Sequence, residues 1–254
     1  MQERSKIAVA GATGRVGRHV VELLEARGHT VVAMSRSRGV DLVTGEGLAQ
    51  ALVGVQCIID AATGPSPEAK AATDFFTAST RNLQQAGAGA GVQRMVVVSI
   101  IGIDRFSGGY MAAKLAHEQA ALAGPIPAAI LRAAQFHEFV AQLMEWGRRD
   151  DVIYLPRMRT QLVAARSAAE ALVELATAPE AASPDRIPEI AGPRAENLVD
   201  AARLLAARRG DPVRIEAVSD PSDPYSEPYQ SGALLPGPHA KLAGPTFAEW
   251  LEHA

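Results

Sequence analysis

Tyr110 and Lys114 stand four residues apart in Tyr110-Met111-Ala112-Ala113-Lys114, and Ser99 closes an apolar run shortly before them. A spacing of four puts a phenol and an ammonium on one helix face. An ammonium beside a phenol favours the phenolate and lowers a pKa that otherwise lies near 10. A tyrosine tuned in this way gives or takes a proton beside a hydride transfer. Ser99 would then hold the oxygen of the reacting carbonyl. With four tyrosines and four lysines in the chain, such a pair arises by chance in roughly one sequence in fifteen.

A second constellation explains what could supply the hydride. The apolar strand Ile7-Ala8-Val9-Ala10 runs into Gly11-Ala12-Thr13-Gly14-Arg15-Val16-Gly17, and a helical pattern of Val16, Val20, Leu23 and Leu24 then stops at Gly28. Glycines at G-x-x-G-x-x-G between a strand and a helix present a dinucleotide diphosphate to the helix N-terminus. Gly11 permits the turn, Gly14 lets backbone N–H groups approach the pyrophosphate, and Gly17 lets the helix pack on the strand. Thr13, Arg15 and Val16 complete the cradle. The competing reading is a strand-turn-helix corner with no ligand; the flanking strand and helix argue against it.

The next strand, Thr30 to Met34, ends in Ser35-Arg36-Ser37-Arg38. At this strand end an acid favours a free ribose 2′-hydroxyl, whereas an arginine accommodates a 2′-phosphate. No acid stands here and Arg36 takes the place beside Ser35, so NADP(H) is expected over NAD, with Arg15 or Arg38 as helpers. The alternative is that Arg36 and Arg38 are solvated loop charges. Asp41 would come near the adenine. Ala61, Ala62 and Thr63 follow a buried strand from Val55 and are small enough for a cofactor to lie across them.

The elements that must position these residues alternate strand and helix. A short helix is expected over 47–52, a Gly-Pro-Ser-Pro turn at 64–67 and a long helix from Glu68 to Ala90. The β-branched run Met95 to Gly102 reads as a central parallel strand. A helix from Tyr110 towards Gly124, a strand at 127–132 and a helix after His137 follow. Shorter elements are expected at 152–155, 161–164, 167–178, 187–191, 196–209 and 213–218. His137 reads as a pocket wall or satisfied core residue in preference to an acid or base. Ser219 to Pro245 is rich in Pro, Asp, Ser and Gly, and reads as a long irregular segment: a lid over the pocket, or simply a disordered loop. Thr246-Phe247-Ala248-Glu249 has capping-box form. The pattern is α/β: a Rossmann-like, doubly wound parallel sheet over 1–150 and a smaller substrate-binding part over 151–254, with ligands at the carboxyl ends of the strands.

The 254 residues are 48% hydrophobic and 21% charged, with a net charge of −3. Such a balance is ordinary for a soluble globular protein and gives no reason to expect a nucleic acid or an anionic membrane. A lone cysteine, Cys57, excludes a disulfide framework and a cysteine metal site, and no metal site is expected elsewhere. Met1 to Lys6 is polar and without a secretory pattern, and no apolar run nears the roughly 20 residues of a membrane span. A reducing, cytoplasmic setting and a small-molecule substrate are expected.

The chain resembles the short-chain dehydrogenase/reductase superfamily, and within it the atypical NmrA-like branch of NAD(P)H-binding proteins. The resemblance is strongest at Gly11 to Gly17, at Val98 to Asp104, at Tyr110 to Lys114 and at Ile130 to His137. It implies NADP(H) laid across Gly11 to Gly17, Arg36, Ala61 to Thr63 and Lys114. It also implies a serine that holds the carbonyl, a tyrosine that moves the proton and a lysine that orients the nicotinamide ribose: Ser99, Tyr110 and Lys114. The expected activity is reduction of a carbonyl, enone or quinone-like molecule. The branch also includes nucleotide-binding redox sensors without catalysis, and the fold equally accommodates an isomerase or dehydratase. Relatives carry Asp residues where this chain reads Val163-Ala164-Ala165-Arg166-Ser167-Ala168-Ala169.

Overall fold

Among the described residues, five of the seven strands of the main sheet, runs of small and β-branched residues, carry the site. They are β1 (Lys6–Ala10), β2 (Thr30–Met34), β3 (Cys57–Asp60), β4 (Arg94–Ile100) and β5 (Ala128–Ala133), in the order β5-β4-β3-β1-β2. In this computed structural model residues 4–178, 186–219, 223 and 225–253 are described. The parallel register aligns Ala10 with Met34 on one side and with Asp60 on the other, and Asp60 with Val97. Three carboxyl ends therefore stand level with Val97 of β4, which runs on to Ile100, and the residues just beyond the three are Gly11, Ser35 and Ala61. Ile58, Ile59, Val96 and Val97 are buried, as strands covered on both faces require.

Helices α1 (Gly17–Ala26), α2 (Leu48–Ala51), α3 (Ala69–Ala90) and α4 (Gly109–Leu122) connect these strands. The Glu68 carboxylate caps α3 by accepting from the amides of Lys70 and Ala71. Ala72, Phe76, Ser79, Thr80, Leu83, Gln84 and Gly87 form its buried stripe at helical spacing. Gln84 ties α3 to the end of α4: its Nε2 donates to Ala121 O at 2.8 Å, and Oε1 accepts from the Ile126 amide at 2.8 Å.

The chain forms two compact units. The first comprises residues 1–99, 107–132 and 168–188, the second 100–106, 133–167 and 189–254, so the chain passes between them repeatedly and does not divide once at residue 150. In the second unit α5 (Phe139–Gly147) leads to β6 (Arg148–Arg149), β7 (Val152–Pro156) and β8 (Arg159–Thr160). Helix α6 (Ala165–Thr177) starts there and runs on into the first unit. Next come β9 (Glu189–Ala191), β10 (Glu196–Asn197), α7 (Leu198–Arg209), β11 (Arg214–Val218), α8 (Ser226–Ser231), β12 (Lys241–Leu242) and α9 (Phe247–His253). Strands β11, β7 and β6 form one small sheet, and β8 pairs with β10.

Two expectations are corrected here. Residues 161–164 do not form a strand of their own; Val163 makes a single bridge to Phe136, its amide donating to Gln135 O and its carbonyl accepting from the His137 amide. Nor is 219–245 irregular throughout: α8 and β12 lie in it, and Tyr225 and Tyr229 pack their rings 5.7 and 5.4 Å from Phe106. Residues 220–222 and 224 of that segment lie outside the described residues. The capping box is present, with the Thr246 amide donating to Glu249 Oε2 at 2.8 Å and the Glu249 amide to Thr246 Oγ1 at 3.3 Å.

The β1–α1 corner is set by backbone contact. Gly11 has φ of +72°, and a Cβ at Gly17 would fall 2.1 Å from Gly11 O. Gly89, by contrast, lies within α3 with nothing within 4 Å of a Cβ. Gly17→Ala is expected to destabilise by about 2 kcal/mol or more, because backbone cannot yield as a side chain can. Gly89→Ala is expected to stabilise by about 0.5–1 kcal/mol. Denaturant unfolding of the two variants tests both signs.

Candidate active site

The glycine corner ends in a helix start open to an anion. The Gly14 amide donates to Gly11 O at 2.8 Å and the Ala12 amide to Met34 O at 3.3 Å. Gly14 thus closes the turn with its own N–H. The amide of Thr13 has no partner among the described residues. No side chain caps α1 and no acid occupies its first turn, so Val16, Gly17 and the positive end of the helix dipole meet whatever lies there. Arg15 stands in the same corner.

At the end of β2, Ser35 leads into a short 3-10 turn over Arg36–Arg38. Arg36, Gly39, Val40, Asp41 and Glu46 line a cavity of about 270 Å³. Asp41 has a task of its own, since its Oδ1 accepts from the amides of Val43 at 2.8 Å and Thr44 at 3.1 Å. Those bonds hold its carboxyl below the ordinary range, with the Arg36 charge assisting. Asp41 therefore closes the loop that shapes the cavity.

At the ends of β3 and β4 the expected trio is only partly assembled. Tyr110 Oη lies 3.1 Å from Thr63 Oγ1. Burial pushes the phenol pKa up, and the Thr63 hydrogen bond only partly offsets this. Lys114 does not lower it. The Lys114 ammonium donates to Val98 O at 2.8 Å, lies 2.8 Å from His117 Nδ1 and sits 4.6 Å over the Phe76 ring. Its four-carbon stem carries the charge past the phenol to better acceptors inside the unit. Burial pulls the ammonium down to about 8 against the opposing charges of Asp60 and Glu118. Ser99 Oγ is buried and without a partner among the described residues. Such a group is costly unless something bonds to it. Ala61 is held by its amide to Ala10 O, and Ala62 by its amide to Asp60 Oδ1 at 3.0 Å.

Two residues emerge that composition and spacing did not single out. Asp60 Oδ2 lies 3.1 Å from His117 Nε2, both side chains 1% exposed. Phe76 stacks on the imidazole at 4.6 Å and 13°. Burial raises the Asp60 carboxyl, but the His117 bond, the Ala62 amide and Lys114 together hold it below its ordinary value. Burial and the Lys114 charge lower His117, outweighing Asp60. The visible signal was His117 three residues after Lys114 on one helix.

His137 belongs to the core of the second unit. Its Nε2 bonds Pro245 O at 3.1 Å, and its ring packs on Phe247 and Trp250. Burial brings its pKa down from 6.5 to about 4 despite that bond. The unfolded chain takes up this proton as pH falls below 6.5, and the folded protein refuses it until about 4. Stability is therefore lost over that window, by up to about 3 kcal/mol. Thermal melts from pH 7 to 4 are expected to show a shallower acid loss for His137→Asn than for the native protein.

The NAD(P)H-binding family model matches residues 11–179. The chain belongs to this family. The match spans the glycine corner, Arg36, Thr63, Ser99, Tyr110 and Lys114. Sequence comparison with characterised proteins gives no match. Solved structures are alike in fold. MoeE5 bound to UDP-glucuronic acid and NAD superposes with a TM-score of 0.72 at 18% identity, over 97% of this chain and 96% of that one. A short-chain dehydrogenase/reductase superfamily protein from Agrobacterium tumefaciens with bound NAD gives 0.68 at 19%, over 98% and 95%. The NADPH-dependent quinone oxidoreductase QOR2 from Escherichia coli gives 0.64 at 20%, over 97% and 98%. Among the described residues no group of three His, Cys, Asp or Glu could hold a metal, and no helix is long and apolar enough to cross a membrane.

Proposed function

We propose that this family member is an NADPH-dependent oxidoreductase that reduces a carbonyl, enone or quinone-like small molecule. The observation that carries the reading is a protonated Tyr110 phenol held by Thr63 in the same unit as Ser99, whose buried hydroxyl lacks a partner. Reduction of a carbonyl needs a proton donor and a hydrogen bond to the developing oxyanion. A phenol whose proton is held on by burial suits the reductive direction, because it arrives at each turnover as an acid. Ser99 donates to the substrate oxygen and Tyr110 delivers the proton to it. Lys114, with two N–H donors engaged by Val98 and His117, has one left for the nicotinamide ribose.

The reduced nicotinamide, when bound, supplies the hydride. Its diphosphate suits the uncapped start of α1, and Arg36 beside the 270 Å³ cavity suits a 2′-phosphate. Similarity to a quinone oxidoreductase that uses NADPH supports this choice of cofactor and substrate class.

Tyr110→Phe is expected to leave NADPH binding nearly unchanged and to lower turnover by about tenfold or more. Incubation with NADPH and a panel of quinones, ketones and enones, followed at the nicotinamide absorbance band, measures this. Equal turnover in the variant removes the tyrosine from the mechanism, and tight binding with silence across the panel turns the reading to a nucleotide sensor. Arg36→Ala is expected to weaken NADPH about tenfold more than NADH. Titration of both nucleotides decides it, and equal losses would sink the preference for NADP.

A further inference from the structure

Asp60, His117 and Lys114 are ionisable side chains buried together in the first unit, and two of them have no part in the chemistry above. Donor and acceptor requirements fix their states. An ammonium only donates, so His117 Nδ1, 2.8 Å away, must accept. Nε2 then carries the imidazole proton and donates to Asp60 Oδ2 at 3.1 Å. The other Asp60 oxygen accepts from the Ala62 amide at 3.0 Å, which fixes the carboxylate's orientation. Phe76 lies flat against the imidazole and beneath the ammonium, so the ring cannot tilt away.

We propose that Asp60 and His117 are positioning residues for Lys114: the carboxylate locks the imidazole in its Nε2–H tautomer, and the locked imidazole holds the ammonium beside Val98 O. This rests on the proposed function only in assigning the nicotinamide ribose to the remaining N–H of Lys114. The groups that face the ammonium are Asp60 from β3, the Val98 carbonyl from β4, the Phe76 ring from α3, and His117 and Glu118 from its own helix. Tyr110, one turn earlier, is uncharged. Glu118 is already paired with Arg132, at 3.0 and 2.9 Å. Asp60 thus supplies the charge that both orders the histidine and keeps the lysine protonated. Without it the Nδ1–H tautomer sets a donor against a donor, and Lys114 gives up its proton more readily.

The chain has four lysines, Lys6, Lys70, Lys114 and Lys241, so their side-chain signals can be followed by NMR in isotopically labelled, nucleotide-free protein. Lys114→Met identifies the relevant resonance. In the native protein it is expected to titrate near pH 8. In Asp60→Asn and His117→Leu the midpoint is expected to fall by about one pH unit or more. His117→Gln should keep the native midpoint, since its amide can accept from Lys114 and donate to Asp60. NADPH affinity from nicotinamide fluorescence should weaken on the alkaline side in step with each lysine titration. Folded Asp60→Asn with an unmoved Lys114 midpoint overturns the proposal. If that variant does not fold, equal midpoints in His117→Leu and His117→Gln overturn it. Shifted midpoints without NADPH binding keep the positioning pair and remove the nucleotide reading; NADPH binding with an indifferent Lys114 does the reverse.

Discussion

A buried ammonium constrains the first unit more than any other group. Taking such an ion out of water costs several kcal/mol even after relaxation. Lys114 recovers this through hydrogen bonds to Val98 O and His117 and through the face of Phe76, charge-assisted contacts individually worth about 1–3 kcal/mol. The Val98 carbonyl comes from β4, the Phe76 ring from α3, and His117, bonded in turn to Asp60 of β3, from the lysine's own helix, so α3, α4, β3 and β4 must arrive in one arrangement before the charge is satisfied. The same arrangement leaves the Ser99 hydroxyl without a partner among the described residues and holds the Tyr110 hydroxyl on Thr63, with its ring edge-on to Phe76.

The strand register makes this possible. Parallel pairing brings Ala10, Met34, Asp60 and Val97 level, so segments far apart in sequence leave the sheet along one edge. The glycine corner, the Arg36 turn and the Ala61–Thr63 step are successive exits from that edge, and Ser99 lies two residues past it on β4. Hydrophobic burial of Ile58, Ile59, Val96 and Val97 holds the row.

Much of this was legible from residues. Thr30 to Met34 matches β2 in full; the helix expected from Glu68 to Ala90 is α3; Thr246 and Glu249 announced the last helix. The Tyr110 and Lys114 spacing rightly placed both on one helix. It could not say where a four-carbon stem would carry its charge, because the acceptors lie in other strands. Asp60 is 57 residues from His117, and only the sheet register joins them. The amide bonds that Asp41 accepts from Val43 and Thr44 were likewise not visible in its position in the sequence. The stretch at 161–164 has strand composition, but it meets Gln135 and His137 through one bridge and no ladder.

The contact between Gly11 and Gly17 has a consequence for how this protein could change. Backbone against backbone leaves no margin, so the phosphate-facing corner is a template that tolerates almost no variation. The turn at 36–46 has one comparable contact, the Gly39 carbonyl against Gly47, but it lies outside Arg36, Asp41 and Glu46, whose side chains line a cavity. Natural drift or directed redesign of coenzyme preference would therefore be expected to accumulate in that turn, with the template inherited intact beneath it.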